Sequence, residues 1–578
     1  MPQRKLDLIY LKLQESFGEK EFTIEDILKR NIFNYNRDTL ITIINRLEKE
    51  GKIVQVGKDE NDERIRIYKL RRLNELNQSG LTSSLKQAAD LVRDMSEGYK
   101  ILLIILIYKA ISDIWLKEYE ELKEKFISKG LSEKEAEEEA RNQDYHKIKI
   151  DYEFLFKNVL NKSEKITENI RNALKNIADK NKELSDSINR LLRFIDDLIG
   201  KEGSDLRIRN VMEIFNRFDF SELGFDALGN AYEWLIEQFM PAQKKAGELF
   251  TPREVIRLLV EITEPSKERK KILDPAAGSG GMLIEAYKYV KDKYGEDVAK
   301  ELILEGQEIN SDTYAILKLN FIIHGIDLGK NIKLYEGDSL TNPLFIDDKP
   351  FDIVIFNPPW NMDYPSDNLK KSKIAKNVYD IFGYPPNNSA DWAWIELSLY
   401  AVNDNGKVGI IIDNGALFRG GKEKIIRAKI LEKDLIECVI LLPDELFYNT
   451  GAPGVIIIFN KNKSLERKRN ILFIDASKYY EDHPYIRKMN KLSEEGIKKI
   501  LEVYKEWKEI SGFSKIVSIE EVIKNDYSLN VNLYVSQIVE EENIDIKAIK
   551  EELYSIQKEI SNIDAKIIGW IEDITNII

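Results

Sequence analysis

Residues 271–286 read KILDPAAGSGGMLIEA, and this stretch decides the fold. Ile272 and Leu273 form a short apolar strand that ends in an acid, Asp274. A loop of small residues, Ala276 to Gly281, then leads into a helical pattern through Met282, Leu283 and Ala286. With no side chains at Gly278, Gly280 and Gly281, backbone amides can approach a ligand closely at the start of a helix. A strand, loop and helix in this order bind nucleotides in general. The loop lacks the Gly-Lys-Ser/Thr of a phosphate loop and the spacing of the dinucleotide fingerprint, so neither NTP hydrolysis nor NAD binding is supported.

The pattern recurs downstream. ELILEGQEIN (301–310) is a strand ending in Glu308, where a doubly wound fold puts the carboxylate that holds ribose hydroxyls. NIKLYEGDSL (331–340) carries Asp338, a candidate for the adenine end of a cofactor. FDIVIFNPPW (351–360) is an apolar, β-branched run fitting a strand buried on both faces, stopped by Asn357, Pro358 and Pro359. The prolines fix the backbone there. The Asn357 side-chain oxygen and the Pro358 carbonyl, which has no neighbouring N–H to pair with, can both accept from one incoming NH2 group, and Trp360 sits where it could stack on the ring carrying that amine.

The Asn-Pro-Pro-aromatic motif resembles the catalytic loop of amino-methyltransferases, which methylate adenine N6, cytosine N4 or, in proteins, glutamine. Taken in order, GELFTPREVIRLLVEI (247–262), DPAAGSGG (274–281), GQEIN (306–310), GDSL (337–340) and NPPW (357–360) are similar to the methylation (M) subunit of type I restriction-modification systems. The similarity extends upstream to DMSEGYKILLIILIYKAISD (94–113) and ALGNAYEWLIEQF (227–239), and downstream to LPDELFYNTGAPGVIIIFNK (442–461) and YSLNVNLYV (527–535). The resemblance implies an adenine-N6 DNA methyltransferase dependent on S-adenosylmethionine. It also implies that Glu248, Leu249, Phe250, Thr251, Pro252 and Arg253 pack over the methionine end of the cofactor. Asp274 and Gly278, Ser279, Gly280 and Gly281 would line its binding loop, and Glu308 and Asp338 would hold its ribose and adenine. The implied partners are double-stranded DNA, a specificity (S) subunit and a restriction/translocase (R) subunit. The family more often has Phe or Tyr after NPP, so Trp360 departs from it without losing a stacking face.

A target adenine inside a duplex must be flipped out before a methyl group can approach its amine, at a cost of a few kcal/mol. Asn357 and the Pro358 carbonyl would then hold the N6 protons, and Trp360 would stack on the ring. In-line attack on the sulfonium methyl needs no covalent enzyme intermediate and no metal; orientation and electrostatics carry it. Cytosine-C5 methylation would need a cysteine nucleophile and no Pro-Cys is present, while cytosine-N4 enzymes more often have Ser in place of Asn357. A protein glutamine methyltransferase and a stand-alone DNA methyltransferase remain as alternatives, as does a regulator with a relict catalytic fold.

Composition narrows the class further. A single cysteine, Cys438 in the apolar run IECVILL, excludes a disulfide framework and a four-cysteine metal site. The three histidines, His146, His324 and His483, have no paired spacing, which argues against zinc. The apolar run from Ile101 to Tyr108 is too short to span a bilayer and the charged N-terminus is no signal peptide, so a cytoplasmic protein without membrane contact is expected. The net charge of −13 is unusual for a protein that grips DNA alone and implies that another subunit holds the duplex.

At 578 residues the chain exceeds one core, and four parts are expected. Residues 1–75 read as a winged helix, with three apolar-periodic helices followed by the strands IVQV and RIRIYKL around a polar turn from Lys58 to Glu63. Its fourteen basic and thirteen acidic side chains over residues 1–70 leave DNA contact and protein docking both open. Residues 80–245 read as a helical domain. Residues 246–480 read as the α/β, doubly wound (Rossmann-like) methyltransferase domain, with KVGIIID, ECVILLP and GVIIIFN as later strands. Within it, the polar stretch between Trp360 and Asp391 is long for a connection and is read as a lid over the target base or a surface loop. Residues 481–578 read as a C-terminal helical region with a coiled-coil-like tail. Ile546, Ile549, Leu553, Ile556, Ile560, Ile563, Ile567, Trp570, Ile574 and Ile577 alternate three and four apart, a heptad seam that could fold back on its own domain or pair with a partner helix; the resemblance implies docking on the specificity subunit.

Overall fold

The computed structural model describes residues 84–221 except 96 and 163, residues 251–535 except 448, 449 and 484–488, and shorter pieces within 9–70 and 550–563. In the first segment, helices at Ile24–Lys29 and Arg37–Lys49 precede an antiparallel hairpin of β1 (Ile53–Lys58) and β2 (Arg66–Leu70). Thr23 and Asp26 cap the first of these helices reciprocally, in the pattern that satisfies two orphan amides at once. Leu13, Phe22, Ile27, Leu40, Leu47 and Tyr68 form their common core. The expected turn after Lys58 lies outside the described residues.

The second segment is helical. Its longest helix, Gly98–Ser128, buries every residue from Ile101 to Asp113, because the helices Phe156–Leu160, Lys182–Asp196 and Ser204–Phe215 and the helix Ser311–Ile323 of the next segment pack against it. One ion pair is sealed inside. Asp113 accepts from Lys109 and from the Phe220 amide (2.9 Å), while Lys109 also donates to the Phe218 carbonyl (2.8 Å). No helix among the described residues is long and apolar enough to cross a membrane.

The remainder is built on one sheet of nine strands. In chain order these are β3 (Lys271–Asp274), β4 (Ile303–Glu308), β5 (Ile332–Glu336), β6 (Phe351–Phe356), β7 (Val402–Asp413), β8 (Ile436–Leu441), β9 (Gly454–Asn460) and β10 (Asn470–Asp475), followed by the small separate hairpin β11 (Tyr480–Asp482) and β12 (Asn490–Leu492), and finally β13 (Ser514–Ser518). Their spatial order is β13-β10-β8-β9-β7-β6-β3-β4-β5. β3 to β7 are parallel; β9 runs antiparallel between β7 and β8, and β13 antiparallel on β10. Helices pack on both faces, which explains why β8 and β9 are buried at every position and are mainly apolar, with Glu437 and Asn460 as buried polar exceptions.

Two expectations are corrected. The sheet does not end near residue 480: β13 adds an edge strand to it, which SKIVS, five residues with partial burial, did not announce. The stretch between Trp360 and Asp391 is packed down, with short helices at Ser366–Lys371 and Tyr379–Phe382. Leu369, Ile374, Val378, Tyr379 and Phe382 are buried in the core under it, and the Tyr379 hydroxyl donates to the Leu340 carbonyl at 2.9 Å. Its abundant Lys and Asn conceal that apolar set. Of the heptad tail, the described residues Leu553, Ile556, Ile560 and Ile563 are each more than half exposed; the rest of the seam lies outside the described residues.

Candidate active site

Chain order reverses at β3, which has β4 and β5 on one side and β6 and β7 on the other, so the loops leaving β3 and β6 diverge at their carboxyl ends and open a crevice. A cavity of about 450 Å3 occupies it, bordered by Asp274, Gly278, Glu308, Asp338 and Asn357 among others. Four chain-distant positions singled out from local sequence are thus brought together.

Asp274 is buried at the end of β3 and accepts from the Ala276 amide at 3.0 Å. Burial, with the charge of Glu308 nearby, pushes its carboxyl well above the usual carboxylate range. Glu308 joins two loops: one oxygen accepts from the Gly278 amide (2.9 Å) and the other from the Asn310 amide (2.7 Å). Gly278 makes the required left-handed turn, at φ +51°, with open space where a Cβ would stand. Ser279 and Gly281 also border the cavity. Gly280 does not; it sits at φ +91° against the helix Ser311–Ile323, where a Cβ would lie 2.5 Å from Leu317 Cδ1. Its absent side chain serves helix packing within that loop. Asp338 accepts from the Leu340 amide (3.0 Å), Thr341 Oγ1 (2.8 Å) and the Tyr364 hydroxyl (2.5 Å). Burial and that carboxylate raise the Tyr364 phenol above its ordinary value.

Thr251 and Arg253 border the cavity, and Pro252 stands at the N-cap of the helix Arg253–Thr263. Glu248, Leu249 and Phe250 lie outside the described residues. Asn357 is buried at the exit of β6: its Nδ2 donates to Thr251 Oγ1 (2.9 Å) and its Oδ1 accepts from Trp360 Nε1 (2.8 Å). Pro359 borders the cavity, whereas Pro358 is buried and does not. Trp360 meets the Phe447 ring at 4.7 Å and 63° and is not among the residues that border this cavity. Its N–H donates to Asn357 and to the Ile411 carbonyl (3.3 Å).

Sequence reasoning missed part of the wall. Tyr99 and Lys100, at the start of the long helix Gly98–Ser128, border the cavity, as do Met362, Tyr364 and Trp394. Lys100 is held by Asp312 at 3.1 Å, just beyond the exit of β4. Arg190 pairs bidentately with Glu336 (2.9 and 2.8 Å), which lies opposite Glu308 in the β4/β5 register. The signal was only the run EGYK, which reads as an ordinary helix start. Two buried polar atoms on this wall have no protein partner: Asn320 Oδ1 and Trp394 Nε1. Among the described residues no group of three His, Cys, Asp or Glu side chains is placed to hold a metal.

The sequence pattern of the N-6 DNA methylase family matches residues 224–543, and that of the HsdM N-terminal domain matches residues 81–215. The type I restriction enzyme MjaVII methylase subunit of Methanocaldococcus jannaschii is 43% identical, over 97% of this chain and 96% of its own length. The MjaVIII methylase subunit of the same organism is 40% identical over 100% of both chains. Among solved structures, a type I restriction-modification system methyltransferase subunit from Streptococcus thermophilus superposes with a TM-score of 0.68 at 27% identity, covering 79% of this chain and 99% of its own. A sheet reversing at β3, with Asn-Pro-Pro at the crevice, is therefore found in a chain that belongs to the N-6 DNA methylases: it is an adenine-specific DNA methyltransferase, of the type I restriction enzyme methylase subunits.

Proposed function

We propose that the crevice between β3 and β6 binds S-adenosylmethionine and that Asn357 presents the adenine amine to it. The observation that carries this reading is the convergence of Asp274, Glu308, Asp338 and Asn357 on one cavity. The residues present fit the cofactor. The volume lies within the roughly 300–1,000 Å3 of small-molecule sites; the carboxylates of Glu308 and Asp338 suit a ligand carrying hydroxyls, an amine and a sulfonium charge; and Asn320 Oδ1 and Trp394 Nε1 offer one acceptor and one donor without protein partners. Glu308 would take the ribose hydroxyls, Asp338 the adenine end, and Thr251, Arg253 and the loop from Gly278 to Gly281 the methionine end. When bound, the cofactor supplies an electrophilic methyl group.

The chain's own residues do the rest by placement. Asn357 Oδ1 has a lone pair beyond the one used by Trp360, and the Pro358 carbonyl precedes a residue without an N–H, so both can accept from an amine delivered to the exit of β6. Accepting both protons leaves the nitrogen lone pair directed at the cavity.

The substrate is double-stranded DNA, and the −13 net charge supports leaving the grip on the duplex to a specificity subunit, with a restriction subunit in the full complex. The exposed positions Leu553, Ile556, Ile560 and Ile563 support the C-terminal seam as the docking helix for that specificity subunit. The proposed parts are residues 1–75, 80–245, a catalytic part from 246 that now includes β13, and the tail. Calorimetry with S-adenosylmethionine, together with adenine-methylation mapping of DNA from cells expressing the chain with and without its neighbouring genes, tests the reading. Absence of cofactor binding would overturn it.

A further inference from the structure

We infer that Trp360 is the positioning residue of Asn357, acting through its indole N–H. The inference rests on the reading of Asn357 given above. A side-chain amide can sit in either of two orientations that exchange O and NH2, and only one turns an acceptor toward an incoming amine. Thr251 Oγ1, 2.9 Å from Nδ2, cannot choose between them, because a hydroxyl both donates and accepts. Trp360 can. An indole N–H is a donor only, so at 2.8 Å it tolerates Oδ1 and rejects the NH2 group.

The indole is itself immobilised. Its N–H is shared with the Ile411 carbonyl of β7 at 3.3 Å, and its ring meets Phe447. At the start of β9 the backbone comes so near that a Cβ on Gly454 would lie 2.8 Å from Trp360 Cη2. The donor that sets the amide is thus anchored to three separate segments of the domain. Phenylalanine at this position would retain an aromatic face and would leave the amide free to flip.

The test uses the full chain assembled with its specificity subunit, on a duplex carrying the mapped site with 2-aminopurine in place of the target adenine for the fluorescence arm. In Trp360→Phe the single-turnover methylation rate should fall about tenfold, the loss of one neutral hydrogen bond at its upper range. KM for DNA, cofactor affinity and the fluorescence rise that reports the base leaving the stack should not change. Placing 3-benzothienylalanine at 360, which keeps the bicyclic shape and lacks the N–H, should give the same loss and so separates the donor from packing. A normal rate with either replacement, while Asn357→Ala is inactive, overturns the clamp and leaves the Asn357 reading standing. If Asn357→Ala is fully active, the underlying reading fails first.

Discussion

Replacing Glu308 by Ala separates two jobs of one carboxylate, the bracing of two loops that the structure shows and the ribose contact proposed above. Its oxygens accept from the Gly278 amide at 2.9 Å and the Asn310 amide at 2.7 Å, and the same group borders the cavity where a ribose would lie. A hydrogen bond to a charged group contributes roughly 1.5–3 kcal/mol, so losing the ribose contact should weaken S-adenosylmethionine binding by about tenfold to about 150-fold. The stability cost should be smaller. Both amides face a water-accessible cavity, and water can replace the carboxylate, leaving a loss of about 1 kcal/mol for the pair. Glu308→Gln should bind as poorly as Ala, because its NH2 group must oppose one of two N–H donors and the side chain would turn. Isothermal calorimetry gives the affinity and urea unfolding the stability. A loss of stability with unchanged cofactor affinity would refute the reasoning and reduce Glu308 to a brace between loops.

Further outcomes follow from other sites. Lys109→Met should leave Asp113 sealed in the helical core without its cation; burial already raises that carboxyl to about 6, so it should take up a proton, and the cost, at most about 3–5 kcal/mol by urea unfolding at pH 8, should shrink as pH falls. Burial, helped by Asp348, raises the Glu305 carboxyl from its ordinary 4.5 to about 7, and neither oxygen has a hydrogen-bond partner. A folded value above the unfolded one favours the folded state below about pH 4.5, an advantage lost as pH rises through about 7. Glu305→Gln should therefore raise Tm relative to the parent at pH 8, with the gain shrinking toward pH 4.5; a gain independent of pH would contradict this. Deleting residues 546–578 should leave cofactor binding intact and abolish co-purification with a specificity subunit; retained site-specific methylation would make the tail an intramolecular strut.

The parts legible in the sequence are those fixed by local chemistry. An apolar run ending in Asp274, Glu308 or Asn357 marks a strand exit whatever surrounds it, and a doubly wound topology then places those exits together. What stayed hidden depends on distant partners. Tyr99 and Lys100 reach the cavity only because the long helix docks on the helix Ser311–Ile323, more than two hundred residues later, and nothing near EGYK encodes that. Gly280 looked like its glycine neighbours, yet its role is set by Leu317 and Phe321. Trp360 was read as a ring, since composition shows an aromatic; its N–H became decisive only with Asn357, Ile411 and Phe447 in place. The stretch after Trp360 was read by its charge, while five spaced apolar residues anchored it.

The most direct test is the rate of N6-methyladenine formation in duplex DNA by Asn357→Ala, assembled with its specificity subunit, at saturating S-adenosylmethionine. Removing the acceptor proposed to hold the amine should lower the rate by at least about 100-fold, while calorimetry finds cofactor affinity within about three-fold of the parent. A variant that methylates adenine at the parent's rate would contradict the account.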